Sequence, residues 1–315
     1  MVVLGIDFGA AQIKAGMVDE TGSILAARTI ETPADLDSLL PSLREVIDWL
    51  IAATEQPAGV GVGCKGIIDP DSTRVELLPG ALHFLEGLRL GDLVGLPPEV
   101  PVFADNDARV ALAGEMVWGA ARERQNVVML TLGQGVGGAV LSGGRLLRGQ
   151  TGLAGNLGHL TVAPDGTQCA CGNRGCLETV FSGRAIEAQA WSAVHRGCPS
   201  SLTRLFREQP QLVNCRTIFQ AAREGDELAS MIVHDAIGKL AAALAGLLHL
   251  FDPEIVIIGG QLSNAGADLM TPLEETVWER SRTLLGREVP LVEQQVADKS
   301  GIVGAAGLVM GPRSS

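Results

Sequence analysis

The chain has 315 residues, 46% hydrophobic and 19% charged, which is enough to bury a core over two domains and excludes a disordered segment. Its net charge of −12 excludes a nucleic-acid surface except as a local exception and disfavours any polyanionic partner. The start, VVLGIDFG, is strand-like from the outset, with no basic stretch or cleavage site ahead of it.

Taken in order, residues 2–30 read as strand, turn, strand, turn, strand, with Asp7 at the end of the first strand, Gly9 in the turn after it and a second turn at Asp19–Gly22. An acidic residue at a strand end beside a glycine turn suits phosphate or Mg²⁺, and a plain hairpin fits equally well. Residues 34–53 carry Leu36, Leu39, Leu40, Leu43, Val46, Ile47 and Leu50, a helical stripe with Pro41 in the first turn or at a kink. GVGVGCKGIIDP (59–70) is a short buried strand running into a loop, and a helix-like stretch follows residue 87. VPVF (100–103) is another buried strand, leading directly to Asp107 and a helix, DARVALAGEMVWG. Asp107 is open to two readings, the N-cap of that helix or an active-site acid at a strand end.

NVVMLTLGQGVGGAVLSGGRLLRG (126–149) repeats the opening pattern of strand, glycine turn, strand. Gly133, Gly135, Gly137 and Gly138 leave backbone N–H groups to face an anion, although the stretch is neither a P-loop nor a dinucleotide fingerprint. The repetition suggests an internal duplication with a cleft between halves. Next comes the densest chemistry: His159, then Cys169, Cys171 and Cys176, ending in Glu178. Three thiolates and one imidazole form a closed tetrahedral Zn²⁺ site, which is structural because the protein fills every position. Helices are expected over CLETVFSGRAIEAQAWSAVH and over 226–251, with the strand and double glycine of PEIVIIGGQLSNAG (253–266) after them. EVPLVEQQV is a late strand, and SGIVGAAGLVM is a small-residue helix able to pack closely. The alternation is α/β. The longest apolar run, Leu240 to Phe251, is too short for a bilayer and contains His249, so no membrane partner is expected. Cys64, Cys198 and Cys215 are scattered and read as reduced, and the expected compartment is cytoplasmic.

Five stretches, in this order along almost the whole chain, resemble the ROK family of sugar kinases and sugar-responsive repressors. GIDFGAAQIKAG (5–16) is similar to the first phosphate motif, FADNDARVALAGE (103–115) to the catalytic motif and LTLGQGVGGAV (130–140) to the second phosphate motif. GQTGLAGNLGH (149–159) with CACGNRGCLE (169–178) is similar to the zinc signature, and VIIGGQLSNAG (256–266) to the adenosine motif. The resemblance implies the actin-like ATPase fold of hexokinases, two α/β domains around a cleft: a smaller one over 1–117 plus 299–315 and a larger one over 118–298. It implies phosphorylation by ATP–Mg²⁺ of a hexose, glucose or a close relative, at the 6-hydroxyl, and a homodimer or homotetramer. Carried over residue by residue, Asp107 would be the general base, and Asn106, Asn156, His159, Glu178 and Gly66 would hold the sugar. Asp7, Gly9 and Lys14 would serve the nucleotide and its Mg²⁺, Gly133, Gln134 and Gly135 would cradle phosphate, and Gly259 and Gly260 would flank adenosine. His159 would carry zinc on one ring nitrogen and a sugar hydroxyl on the other.

The sequence departs from the family pattern inside these loops. Ala10 and Ala11 replace Gly-Thr of the first phosphate motif, Gln134 replaces a threonine of the second, and Asn156 replaces a glutamate of the sugar segment. Leu78-Pro79-Gly80 stands where an asparagine is usual, and Lys65-Gly66 where Pro-Gly is usual. Each lost hydrogen bond costs about 0.5–1.5 kcal/mol. A kinase with altered sugar preference is therefore weighed against a sugar-binding sensor with little catalysis. A repressor is disfavoured, because the family's repressors carry an extra N-terminal helix-turn-helix and this chain opens in the first strand.

Overall fold

The computed structural model describes residues 1–78, 80–296 and 300–311. Pro79 and the boundary expected between 298 and 299 lie outside them. The chain divides into two compact units, Met1–Gln125 with Ala139–Gly155 and Gln294–Ser315, and Asn126–Gly138 with Asn156–Glu293.

The opening stretch forms β1 (Val3–Phe8), β2 (Gln12–Val18) and β3 (Ile24–Glu31), as the alternation predicts. Helix α1 (Leu36–Ala53) follows, capped by the Asp35 carboxylate, which accepts from the Ser38 N–H. Its stripe buries Leu39, Leu43, Val46, Ile47 and Leu50, while Leu40 is exposed and Pro41 lies inside the helix. Then come β4 (Val60–Cys64), a small pair β5 (Ile67–Ile68) and β6 (Val75–Leu77), a short α2 (Leu90–Val94), β7 (Val102–Asn106) and α3 (Asp107–Trp118). The strand expected at VPVF therefore continues through Asp105 and Asn106. The first sheet has the order β3-β2-β1-β4-β7, with β1, β4 and β7 parallel.

Side-chain parity along β1 decides what covers each face. Leu4, Ile6 and Phe8 pack with the α1 stripe. Val3, Gly5 and Asp7 point the other way, towards the last helix, α9 (Ser300–Met310), and Val3 packs with Ile302, Val303 and Ala306 there. The helix rests on glycines: a β-carbon on Gly5 would collide with the Ile302 carbonyl, and one on Gly61 with that of Ala305. Within α9, Gly304 and Gly307 meet the Val110 and Ala113 carbonyls of α3. The close packing expected of this small-residue helix is present.

The second sheet has the order β10-β9-β8-β11-β12, from β8 (Val127–Leu132), β9 (Val136–Ser142), β10 (Arg145–Leu146), β11 (Ile255–Gly259) and β12 (Leu291–Glu293). It repeats the first sheet. A strand ending in a glycine turn lies in the middle (β1, β8), the strands that follow it in sequence lie to one side, and two later parallel strands lie to the other. The second unit's helices are α4 (Gly183–His195), α5 (Leu202–Glu208), α6 (Cys215–Arg223), α7 (Glu227–Phe251) and α8 (Ala267–Leu285). Helix α4 starts at Gly183, capped by Ser182, rather than at Cys176, because Leu177–Thr179 is a 3-10 turn that Cys176 caps. Helix α7 is long and apolar enough to cross a membrane by length and composition, but Leu228 to Leu248 includes thirteen buried residues, the pattern of a core helix. Helices α5 and α6, short and amphipathic, were not anticipated from sequence.

Candidate active site

In the first unit, register gathers the candidate residues at one sheet edge. Asp7 pairs with Gly63 and Gly63 with Asp105, while Phe8 pairs with Cys64 and Cys64 with Asn106. The carboxyl ends of three parallel strands therefore deliver Asp7–Gly9, Lys65–Gly66 and Asn106–Asp107 together, where α/β sheets bind ligands. Gly66 takes φ +100 and its carbonyl accepts from Asn106 Nδ2 at 2.9 Å.

The cap of α3 is Asn106, not Asp107: its Oδ1 accepts from the Ala108 N–H at 3.0 Å. Asp107 is the first helical residue, its Oδ1 also accepting from Ala108 at 2.9 Å, and it keeps surface open to solvent. Protein crowding limits the hydration of its carboxyl and raises its pKa above the ordinary value. The Ala108 N–H and the charges of Lys65 and Arg109 oppose that rise. Water still reaches the exposed part of the side chain. Asp7 is pushed up to about 6, first by desolvation and then by the like charge of Asp107, with Lys14 opposing. Lys14 is its cross-strand partner and is exposed. Lys65 is exposed as well, and close enough for its charge to act on Asp107. Gly9 closes the β1–β2 turn, its N–H donating to the Gln12 carbonyl at 3.1 Å and its carbonyl accepting from Thr32 Oγ1 at 2.7 Å.

Sequence reasoning missed the anchor beneath this edge. Asp105, wholly buried, takes Arg109 Nε on one oxygen and Arg148 Nε on the other at 2.9 Å. Arg109, also buried, donates onward to the Ala154 and Gly152 carbonyls at 2.8 and 2.9 Å. The four-residue spacing of Asp105 and Arg109 across a strand–helix junction was the available signal. A hollow of about 880 Å³ in this unit is lined by Arg148, Thr151, Phe103, Met116 and Leu308 among others, and neither Asp7 nor Asp107 borders it.

In the second unit, β8 and β11 are parallel neighbours, so their carboxyl ends bring Gly133–Gly135 beside Gly259–Gly260. Gly260 has φ +86 and lies against the backbone of Leu132, a position no side chain could share. A β-carbon on Gly133 would meet nothing within 4 Å, so the turn has room for a phosphate. Gln134 lies against Gly183, at the start of α4. Glu178 Oε2 accepts from the Val136 N–H at 2.9 Å. Asn156 precedes the 3-10 turn Leu157–His159, and its carbonyl accepts from the His159 N–H at 3.1 Å.

The four expected metal ligands converge. The donor atoms of His159, Cys169, Cys171 and Cys176 lie within 4.8 Å of one another. His159 Nδ1 is 3.6 Å from Cys169 Sγ, and Cys171 Sγ is 3.6 Å from Cys176 Sγ. A tetrahedron with Zn–S of 2.3 Å has edges of about 3.8 Å, so a zinc ion fits the set. The backbone builds the knuckle: the Cys169 N–H donates to the Asn173 carbonyl at 2.7 Å, and Thr161 bridges to Cys176.

Known proteins resemble this chain over almost its whole length. The ROK family model matches residues 3–311. A glucokinase of Thermotoga maritima is 35% identical over 312 residues, 98% of this chain and 96% of the relative. An N-acetylmannosamine kinase of Escherichia coli O157:H7 is 32% identical over 99% of this chain and 100% of the relative. The crystal structure of a ROK family glucokinase from Streptomyces griseus, in complex with glucose and AMPPNP, superposes with TM-score 0.81 at 30% identity, over 98% of this chain and 99% of that one.

Proposed function

The chain belongs to the ROK family and is built as one of its sugar kinases, with their actin-like ATPase fold, and from that premise we propose that it transfers the γ-phosphoryl group of ATP to the 6-hydroxyl of a hexose, glucose or a close relative. The observation that carries the reading is Asp107. It begins α3 with Asn106 as the cap in its place, it stays open to solvent, and its raised pKa makes it a stronger base than an ordinary carboxylate. Asp107 takes the proton of the attacking hydroxyl. Asn106, fixed by its bond to Gly66, and Asn156, His159 and Glu178 are the residues that hold the sugar in this reading. Phosphoryl transfer asks for such positioning and for charge neutralisation more than for covalent help. Asp7 would hold the hydration shell of Mg²⁺, which would supply neutralising charge on the phosphates, and Gly9 and Lys14 would serve the nucleotide. Gly133, Gln134 and Gly135 receive phosphate, and Gly259 and Gly260 flank the adenosine.

The Cys₃His donor set suits a structural Zn²⁺, which would lock the His159 ring. With Nδ1 turned to the cysteines, Nε2 remains for a sugar hydroxyl. A cytoplasmic homodimer or homotetramer completes the reading.

ADP release measured across a hexose panel that includes glucose, mannose and N-acetylmannosamine, beside a calorimetric sugar titration, tests the proposal. Turnover of at least one hexose is expected. Binding without turnover of any would overturn it and favour a sensor. That second reading rests on Ala10, Ala11 and Gln134, which remove two hydroxyls and a glycine from the phosphate loops.

A further inference from the structure

We propose that Glu178 is shared between the sugar and the glycine turn at 133–136, so that Gly135, a residue of the phosphate loop, sets sugar affinity as a positioning residue. The inference rests on the kinase reading above.

Glu178 Oε2 is held by the Val136 N–H at 2.9 Å, and Oε1 takes no hydrogen bond from the described residues. One oxygen is therefore committed to the turn and the other is left for a ligand hydroxyl. The carboxylate reaches the turn only because Gly135 has no side chain: a β-carbon there would overlap Oε2. Two residues earlier, a β-carbon on Gly133 would stand in open space. Neither residue has positive φ, so alanine strains the backbone at neither.

The same turn is tied to the sugar segment at further points. The Gly183 N–H donates to the Gly133 carbonyl at 2.8 Å, five residues beyond Glu178. Gly158, next to His159, packs against the Val136 carbonyl so closely that it too admits no β-carbon. The Leu177 N–H donates to the Leu160 carbonyl at 2.7 Å, joining the segment of His159 to that of Glu178. A phosphate that settles into the turn therefore acts on Glu178 directly, and a sugar held by Glu178 acts on the turn. By linkage, each ligand changes the affinity of the other by the same factor.

Nucleotide-free calorimetric titration of glucose, or of whichever hexose turns over best, compares wild type, Gly133→Ala and Gly135→Ala. Gly135→Ala is expected to weaken the sugar by about tenfold or more, the loss of a charge-assisted contact, and Gly133→Ala by no more than about twofold. AMPPNP should change the sugar affinity of wild type and change it less in Gly135→Ala. A double-mutant cycle guards against a folding defect: Glu178→Asp withdraws the carboxylate and makes room, so adding Gly135→Ala to it should cost no further affinity. Equal sugar affinity in wild type and Gly135→Ala, equal losses in both alanine variants, or additive losses in the cycle would overturn the inference while leaving the kinase reading intact. A wild type that binds no hexose would overturn both.

Discussion

Asp7 and Asp107 stand at one sheet edge as carboxylates held above their ordinary pKa, and they differ in what the fold asks of them. The Asp107 carboxylate accepts from the Ala108 N–H, which Asn106 already satisfies. Asp107→Asn should therefore lower turnover by about 10²–10⁴-fold while leaving hexose affinity and thermal midpoint close to wild type. ADP release and calorimetry check this, and full activity would exclude a base. For Asp7 the pKa rises to about 6 from 3.8, so the folded chain binds a proton more tightly than the unfolded chain does. Its stability contribution is then fully present below the unfolded pKa and is lost as pH rises through 6. With part of the side chain exposed, the charged form costs about 1–3 kcal/mol at pH 8. Urea unfolding should find Asp7→Asn more stable than wild type by that amount at pH 8 and equal to it near pH 3, whereas an equal difference at both would refute the cause. Both aspartates were legible from their places at strand ends beside turns. The capping role of Asn106 was not, because Asn and Asp compete for that position on almost equal terms and only geometry separates them.

At the scale of elements, parallel strands in register make the first unit's edge, and a buried ion network fixes what lies beneath it. Asp105 and Arg109 are both almost fully enclosed, and Arg109 carries the restraint on to the carbonyls of Gly152 and Ala154, just ahead of Asn156. Arg109→Met should destabilise the protein by about 3–5 kcal/mol, because Asp105 is then left in the interior with Arg148 alone. Chemical unfolding measures it, and a loss under about 1 kcal/mol would show that Arg148 suffices. Strands and long helices were readable because each repeats its period over several turns or pairs. The network escaped notice because Asp105 follows the expected strand VPVF without a period of its own, and its burial shows only once β7 is seen to run through Asn106. The late start of α4 escaped for a similar reason: Leu177 to Phe181 has helical composition, but the backbone there serves the cysteine knuckle. Glu115 was passed over too. Its buried carboxylate accepts the N–H groups of Ala120, Gln295 and Val296 at 2.7–2.9 Å and so holds the chain as it returns towards α9.

For the whole molecule, the two sheets share one strand order, which the two strand–glycine-turn–strand repeats had indicated in the sequence. The convergence of His159 with the three cysteines was equally legible, since three cysteines within eight residues leave few alternatives. Prolonged dialysis against a chelator should release one zinc per chain and abolish hexose binding while the far-ultraviolet circular dichroism stays near native. Sugar affinity that survives complete metal removal would refute the tie between the knuckle and His159. The packing of α9 on β1 and β4 also bears on how the protein is made. That face of the first sheet is covered by residues translated about 300 positions after β1, so at cellular elongation rates it waits roughly 15–60 s on the ribosome with Val3, Gly5 and Gly61 bare. Chains that end between Glu293 and α9, through a nonsense codon or a stalled ribosome, would carry all of the second unit and a first sheet left bare at Val3, Gly5 and Gly61, which makes them natural clients for chaperones and proteases.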